Sequence, residues 1–432
     1  MFPNRADRLT ASLRRFPITA ALAAAFIAAS CGGGEEVPAS TAVAYTGAGL
    51  IVGDGTGPIA DSVIVVDGGR ITAAGPASSV EVPAGAERVE LSGRFVIPAL
   101  VDTHVHFRLP REDLVDDLHR RAWYGVGLAL SLGLEGLEDA VFEARGETIP
   151  EAARAMTAGP GITRPEPGRS EIPYWINTPE EGRAAVRELA AKNVDIVKVW
   201  VDDRNDQYEK LTPELYGAVI DEAHQHGLRV AAHIFDLEDA KGLLAAGVDA
   251  FAHSVRDMDV DDEFVAMVQE RPDVVLIPNL GSRGAFEDVS WLSGTIPAEE
   301  LEALQEQYRE RPEIQEAFAI QARNLARLNE AGMKIVMGTD GNGPYRPHIE
   351  MLDMVEAGMS PHEVLVASTG AGAEFLGRGD EVGTITAGKS ADFVVLGANP
   401  LEDIRNTRRI EAVYLRGERV DREGMSAGWV GQ

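Results

Sequence analysis

The sequence predicts an α/β protein: a parallel (β/α)8 TIM barrel joined to a small β-sandwich that both ends of the mature chain build together. Three observations lead there. Residues 98–378 alternate short apolar strand segments with amphipathic helical stretches, the pattern of a parallel sheet wrapped in helices. Residues 42–97 and 379–424 read instead as strands broken by glycine turns. The side chains best suited to chemistry fall at or near the C-terminal ends of the middle segment's strands, where barrel sites assemble.

Composition narrows the function. The 432 residues are 45% apolar and 25% charged, which is globular and leaves room for a barrel with an accessory domain. There are 40 Lys and Arg against 69 Asp and Glu, a net charge of −29. Such a surface repels phosphate backbones and anionic headgroups, so nucleic acid is not an expected partner. The single cysteine excludes an intrachain disulfide framework.

Residues 1–30 read as an export signal: Arg5, Arg8, Arg14 and Arg15 precede an apolar run, Phe16–Ser30, too short to span a bilayer. Cys31 follows Ala28-Ala29-Ser30. This resembles a bacterial lipoprotein signal, which implies acylation of Cys31, residues 31–41 as a tether, and a periplasmic, membrane-anchored protein.

The folded chain then unrolls in order. Val63–Val66 runs into Asp67-Gly68-Gly69, a strand and a hairpin turn. Thr178-Pro179-Glu180-Glu181 is a capping box with proline at the first helical position, and the helix it opens runs to Lys192. Strand Val194–Val201 follows, then a helix from Thr212-Pro213 to Gly227. LRVAAHIF, VDAFAHSV, VVLIPNL and MKIVMGTD are the later strands, and ADFVVLG with IEAVYLRGERV returns to the sandwich.

Six residues stand out. His104 and His106 lie two apart in VDTHVH, so on a strand both imidazoles share a face and can reach one metal. Lys198, in IVKVW, points inward among apolar neighbours, where a cation needs neutralising or pairing. His233 ends LRVAAHIF, His253 lies in VDAFAHSV and Asp340 ends MKIVMGTD. Four His, one Lys and one Asp on one face can hold two divalent metals.

In these residues and their order the chain resembles the amidohydrolase superfamily, in its binuclear imidazolonepropionase-like and prolidase-like branch. VDTHVH, the strand lysine, the two later histidines, GTD and the closing GTITAGKSADFVVL all occur in sequence. The resemblance implies that carbon dioxide carbamylates Lys198, giving a bridging carboxylate. It implies that His104, His106 and Asp340 hold one metal, and His233 with His253 the other. Hydroxide then becomes available near neutral pH, a metal polarises the substrate carbonyl, and Asp340 shuttles the proton to the leaving amine. Zinc is the first expectation among metals that His and carboxylate suit.

His224, His226, His119 and His362 read as structural. His348, with Glu350 in GNGPYRPHIEM, is placed to reach over the site, because a His-x-Glu pair often follows the last-strand aspartate in the family. The family's dipeptidases commonly carry Gly-Gly-His after the third strand, whereas this chain reads AGPGITRPEPGRSEIPYW. Arg164, Arg169, Tyr174 and Arg346 are the candidates for a carboxylate clamp or carbonyl donor. The substrate is a small molecule, first a dipeptide or N-acyl amino acid cut at its amide. The same site equally suits a lactone, carbamate or phosphotriester. A deaminase is disfavoured, since single-metal sites of that kind do not need the lysine. Outside enzymes, the alternative is a surface lipoprotein that binds a ligand through a degenerate barrel. A homo-oligomer is compatible with all of these.

Overall fold

A computed structural model describes residues 40–430. The export signal (1–30), Cys31 and the tether up to residue 39 lie outside the described residues. Among the described residues, no helix is long and apolar enough to cross a membrane.

Five strands open the fold: β1 (Val43–Leu50), β2 (Ile59–Asp67), β3 (Arg70–Pro76), β4 (Glu87–Glu90) and β5 (Phe95–Pro98). The turn read at Asp67-Gly68-Gly69 joins β2 to β3, with both glycines at positive φ as a tight hairpin requires. β1 forks the sheet. Its first half, Val43–Thr46, pairs parallel with β4, while Gly49 and Leu50 pair parallel with β5 on the same edge. Gly47 sits at the fork with φ +85, and a Cβ there would come within 2.4 Å of Glu90 Oε1. Only glycine fits this bend.

Ten parallel-paired strands follow. β6 (Leu100–Val105), β7 (Val126–Ser131) and β8 (Arg154–Thr157) form one parallel sheet. β9 (Ile162–Thr163), β10 (Tyr174–Trp175), β11 (Val197–Trp200), β12 (Val230–His233), β13 (Ala250–Ala252), β14 (Val275–Ile277) and β15 (Lys334–Ile335) form another. Its order is β10-β9-β11-β12-β13-β14-β15, parallel throughout. Where the sequence predicts eight strands in one ring, the hydrogen bonding is thus divided between a three- and a seven-stranded sheet. Single hydrogen bonds join the sheets' edges: Thr103 N–H to Met337 O (3.0 Å), Asp340 N–H to His104 O (2.8 Å) and Asp195 N–H to Thr157 O (3.0 Å). The strands bury every residue between Val197 and Trp200 and between Ala250 and Ala252, as parallel strands covered on both faces do.

The helices between them end where their sequences say. Thr178 makes both bonds of the capping box before helix Pro179–Ala191. Helix Leu237–Ala246 stops on Gly247, at φ 98.

The chain returns through β16 (Phe393–Leu396), β17 (Ile410–Leu415) and β18 (Glu418–Arg419). β16 pairs antiparallel with β5 from Phe393–Pro98 to Leu396–Phe95, so strands from both ends share one sheet. The predicted sandwich is therefore a single eight-stranded sheet, forked at β1. Its core stacks Phe393 on Tyr414 (centroids 4.6 Å apart) and sets Tyr45 edge-on to both. Before β17, the turn Ile404–Arg408 grips the middle segment: Arg405 and Arg408 both pair with buried Glu287, in the loop after β14.

Truncating Phe393 to alanine removes the ring that both tyrosines pack on. Phe393→Ala should destabilise the protein by about 3–5 kcal/mol, read as a lower midpoint in urea denaturation. An unchanged midpoint would mean that this sheet does not unfold with the rest.

Candidate active site

Asp340 is the meeting point of the site. It lies beyond β15 with φ 48, in the left-handed region that Asp tolerates better than most residues. Its Oδ1 is 3.0 Å from His106 Nε2 and 3.2 Å from His104 Nε2, and its Oδ2 is 3.9 Å from His253 Nε2. His104 belongs to β6, His106 follows that strand, and His253 directly follows β13. Ligand atoms of His104, His253 and Asp340 lie within 4.8 Å of one another. Burial, which would raise the Asp340 pKa, is outweighed by His104, His106 and Lys198, so the carboxylate is held ionised. Burial keeps His104 and His253 neutral, well below the usual histidine range. Two neutral imidazoles and a carboxylate in this geometry suit a divalent ion.

Asn279, just past β14, organises the pair. Its Oδ1 accepts from His104 Nδ1 at 3.0 Å and from His253 Nδ1 at 2.8 Å. Both rings then carry their proton on Nδ1 and turn Nε2, with its lone pair, toward Asp340. Asn279 also has positive φ, as does Ser254 beside His253, so three successive strand ends carry left-handed residues around one centre.

Lys198 lies on β11, wholly buried, and its Nζ has no hydrogen-bond partner. Burial pulls its pKa down to about 7, against the attraction of Asp340. An orphaned amine here fits the expected conversion to an anion.

His233 completes the histidine cluster, its ring edge-on to His253 with centroids 4.5 Å apart. Its Nε2 is 2.8 Å from Asp202 Oδ2 and 3.0 Å from Arg204 Nη1, which itself pairs with Asp202. Arg204 must swing aside before this nitrogen can face a cation. His253 thus also approaches Asp340, while His233 is engaged with Asp202.

Beneath the site, Asp102 ties β6 to the segment that carries Asp340. It accepts from Thr339 Oγ1 (2.8 Å), Thr339 N–H (3.1 Å) and His104 N–H (3.3 Å), with Arg121 3.7 Å away. Burial lifts its pKa to about 6 even so.

Several expected residues are elsewhere. His348 does not reach over the site: it opens helix Pro347–Glu356, buried, with Nδ1 on Thr407 Oγ1 and Nε2 on the Tyr124 carbonyl, both at 3.0 Å. Both ring nitrogens are spent, so its expected catalytic role is withdrawn. Arg164 is committed to Glu209, Asn177 and the Ile176 carbonyl. Tyr174 donates to Glu188 of a surrounding helix at 2.8 Å, which turns its hydroxyl away from the strand ends. Arg169 pairs with Glu166. Neither Arg164 nor Tyr174 is free to be the expected clamp. Arg346 lies along the loop after Asp340, against Gly341 and Gly343. The residues that the sequence reading missed are Asn279, Asp202, Arg204 and Arg256. Their signal was position alone, since each lies within four residues of the end of a strand.

The Amidohydrolase family profile matches residues 95–420. The chain belongs to the amidohydrolase family. It is a metal-dependent hydrolase acting on carbon–nitrogen bonds, and its fold is the family's α/β type. An uncharacterized protein of Mycobacterium tuberculosis is 27% identical over 357 residues, 78% of this chain and 88% of that one. The imidazolonepropionase of Agrobacterium fabrum is 26% identical over 384 residues, 79% of this chain and 85% of that enzyme. A crystal structure from Bifidobacterium longum, titled provisionally as a prolidase, aligns with TM-score 0.72 and 28% identity over 90% of this chain and 98% of that one.

Asn279→Leu should weaken divalent-metal binding by roughly 10–100-fold, measured by competition with a chelator. Unchanged affinity would show that the shared carboxamide does not hold the two rings.

Proposed function

We propose that this amidohydrolase is an exported, lipid-anchored two-metal enzyme that cleaves the amide bond of a dipeptide or an N-acyl amino acid. One observation carries the reading: His104, His106, His253 and Asp340 converge beside the unpartnered buried amine of Lys198. The two parallel sheets are taken as one (β/α)8 barrel, with the strand ends opening on the site.

Lys198 comes first. Its amine, neutral for a large fraction of the time near pH 7, adds to carbon dioxide, and the proton leaves, giving a carbamate anion. This relieves the buried cation and adds a carboxylate-like ligand between the histidine groups. His104, His106 and Asp340 would then hold one divalent ion, and His233 with His253 the other, zinc being the first expectation. Bound there, such ions lower the pKa of water and polarise a carbonyl.

The rest is done by side chains. Asp340, kept ionised by its neighbours, accepts the proton of the attacking water. It then delivers that proton to the amine nitrogen as the C–N bond breaks. Asn279 keeps the His104 and His253 rings from rotating while charge builds on the substrate. Burial of His104 and His253 strengthens their share of these interactions. The provisional prolidase title of the Bifidobacterium longum relative supports a dipeptide-like substrate. Export and acylation rest on the sequence of residues 1–31.

Amine release from a library of dipeptides and N-acyl amino acids tests the reading, with metal-loaded protein in bicarbonate. Asp340→Asn, still metal-loaded, should lose about 10²–10⁴-fold in kcat with little change in KM. Wild-type turnover in that variant would remove Asp340 from proton transfer. Silence across the library from protein holding two metals would redirect the reading to lactones, carbamates or phosphotriesters. For Lys198, isotopically labelled bicarbonate should give a carbamate carbon resonance that Lys198→Ala lacks. The same spectrum from both proteins would overturn carbamylation.

A further inference from the structure

Arg256 lies three residues beyond His253, in the loop after β13. Its main-chain N–H donates to the Phe235 carbonyl at 2.9 Å, which fastens it to the loop that follows His233. Its Nη2 reaches across to the Asn279 carbonyl at 3.5 Å. Backbone and side chain together thus link the loops after three neighbouring strands, and the guanidinium lies beside Asn279 of the candidate metal centre. Its Nε is buried and has no hydrogen-bond partner.

Arg256 makes no direct ion pair, and Asp340, Asp202 and Glu350 attract it only through space. Among the described residues no carboxylate comes within 4.0 Å of it. The other arginines of these loops are neutralised: Arg204 by Asp202 and Glu166, Arg283 by Asp353 and Glu287, Arg164 by Glu209. A half-buried guanidinium without a direct ion pair is unfavourable, and a substrate carboxylate would relieve it. The net charge of −29 sharpens the point, since an anionic substrate approaching this surface needs a local cation. Two exposed apolar side chains belong to the same loops, Phe235 after β12 and Met258 two residues beyond Arg256.

We infer that Arg256 binds a carboxylate of the substrate, selecting amides that carry a free carboxylate and an apolar side chain beside the scissile bond. This rests on the amide reading above and narrows it to a class. A bidentate guanidinium–carboxylate pair fixes orientation as well as affinity, so the scissile carbonyl is presented to the strand ends in one register. Phe235 and Met258 then receive the apolar side chain.

The test uses the metal-loaded enzyme and a matched pair of probes, N-acetyl-L-phenylalanine and its carboxamide. The readout is the ratio of kcat/KM for the acid over the amide, so partial unfolding or metal loss in a variant cancels. Arg256→Gln should lower that ratio roughly ten- to a hundredfold, mainly through KM for the acid, and Arg256→Lys should keep part of it. An unchanged ratio in both variants overturns the inference. So does a loss of ratio in Arg346→Gln that Arg256→Gln does not share, since Arg346 also has no carboxylate within 4.0 Å. If the wild-type enzyme hydrolyses neither probe, calorimetric binding of the same pair decides separately. Weaker binding of the acid alone to Arg256→Gln supports the carboxylate site although these amides are not turned over. Equal binding to both proteins, or none to either, overturns it.

Discussion

Everything at this centre depends on one buried carboxylate. Asp102 holds His104 through its main-chain N–H and holds Thr339 through both backbone and hydroxyl. The HxH segment and the segment ending in Asp340 belong to opposite ends of the strand sequence, more than 230 residues apart, and Asp102 clamps them side by side. Burial makes that anion expensive, and Arg121, itself buried and paired with Asp117, keeps it supportable. The metal-facing geometry is therefore set from below, by an ionic layer that substrate never touches.

Above that layer the histidines are largely buried while Asp340 keeps an exposed edge. His104, His233 and His253 are all pushed below the usual histidine range, chiefly by burial. Lys198 pushes them the same way until it is neutralised. Asp340 meets His104, His106 and His253 and feels Lys198, which explains its ionisation. Strain at Asn279 and Ser254 is held by the strands just before them, and at Asp340 by its N–H bond to the His104 carbonyl.

The alternation of strands and helices, the return of the chain to its opening sheet, and the convergence of the histidines with Asp340 were legible in the sequence. Each follows from periodicity: strand-end residues of a parallel sheet must gather on one side. What was not legible depends on side-chain direction. His348 and Glu350 read as a loop pair because a Gly- and Pro-rich stretch precedes them, yet Pro347 starts a helix there that aims His348 at Thr407 and Tyr124. Arg164 and Tyr174 have the right chemistry and the wrong neighbours, since acidic residues from distant segments claim them. Asn279 and Arg256 carry no motif; only the fold shows that one bridges two rings and the other lacks a direct ion pair. The fork at Gly47, where β1 passes from pairing with β4 to pairing with β5, is likewise a matter of two atoms' clearance.

The grip of the C-terminal return on Glu287 has a consequence for how such a protein can diverge. The loop after β14 carries Asn279 at its base and Glu287 further out, and Arg405 and Arg408 hold Glu287 from the opposite end of the sequence. Thr407, between them, holds His348. A recombination that imports this loop from a relative without the segment 404–408 would bring in an unanchored wall. Loop and return are one heritable unit, and changes in what the pocket accepts are expected to appear in both places at once.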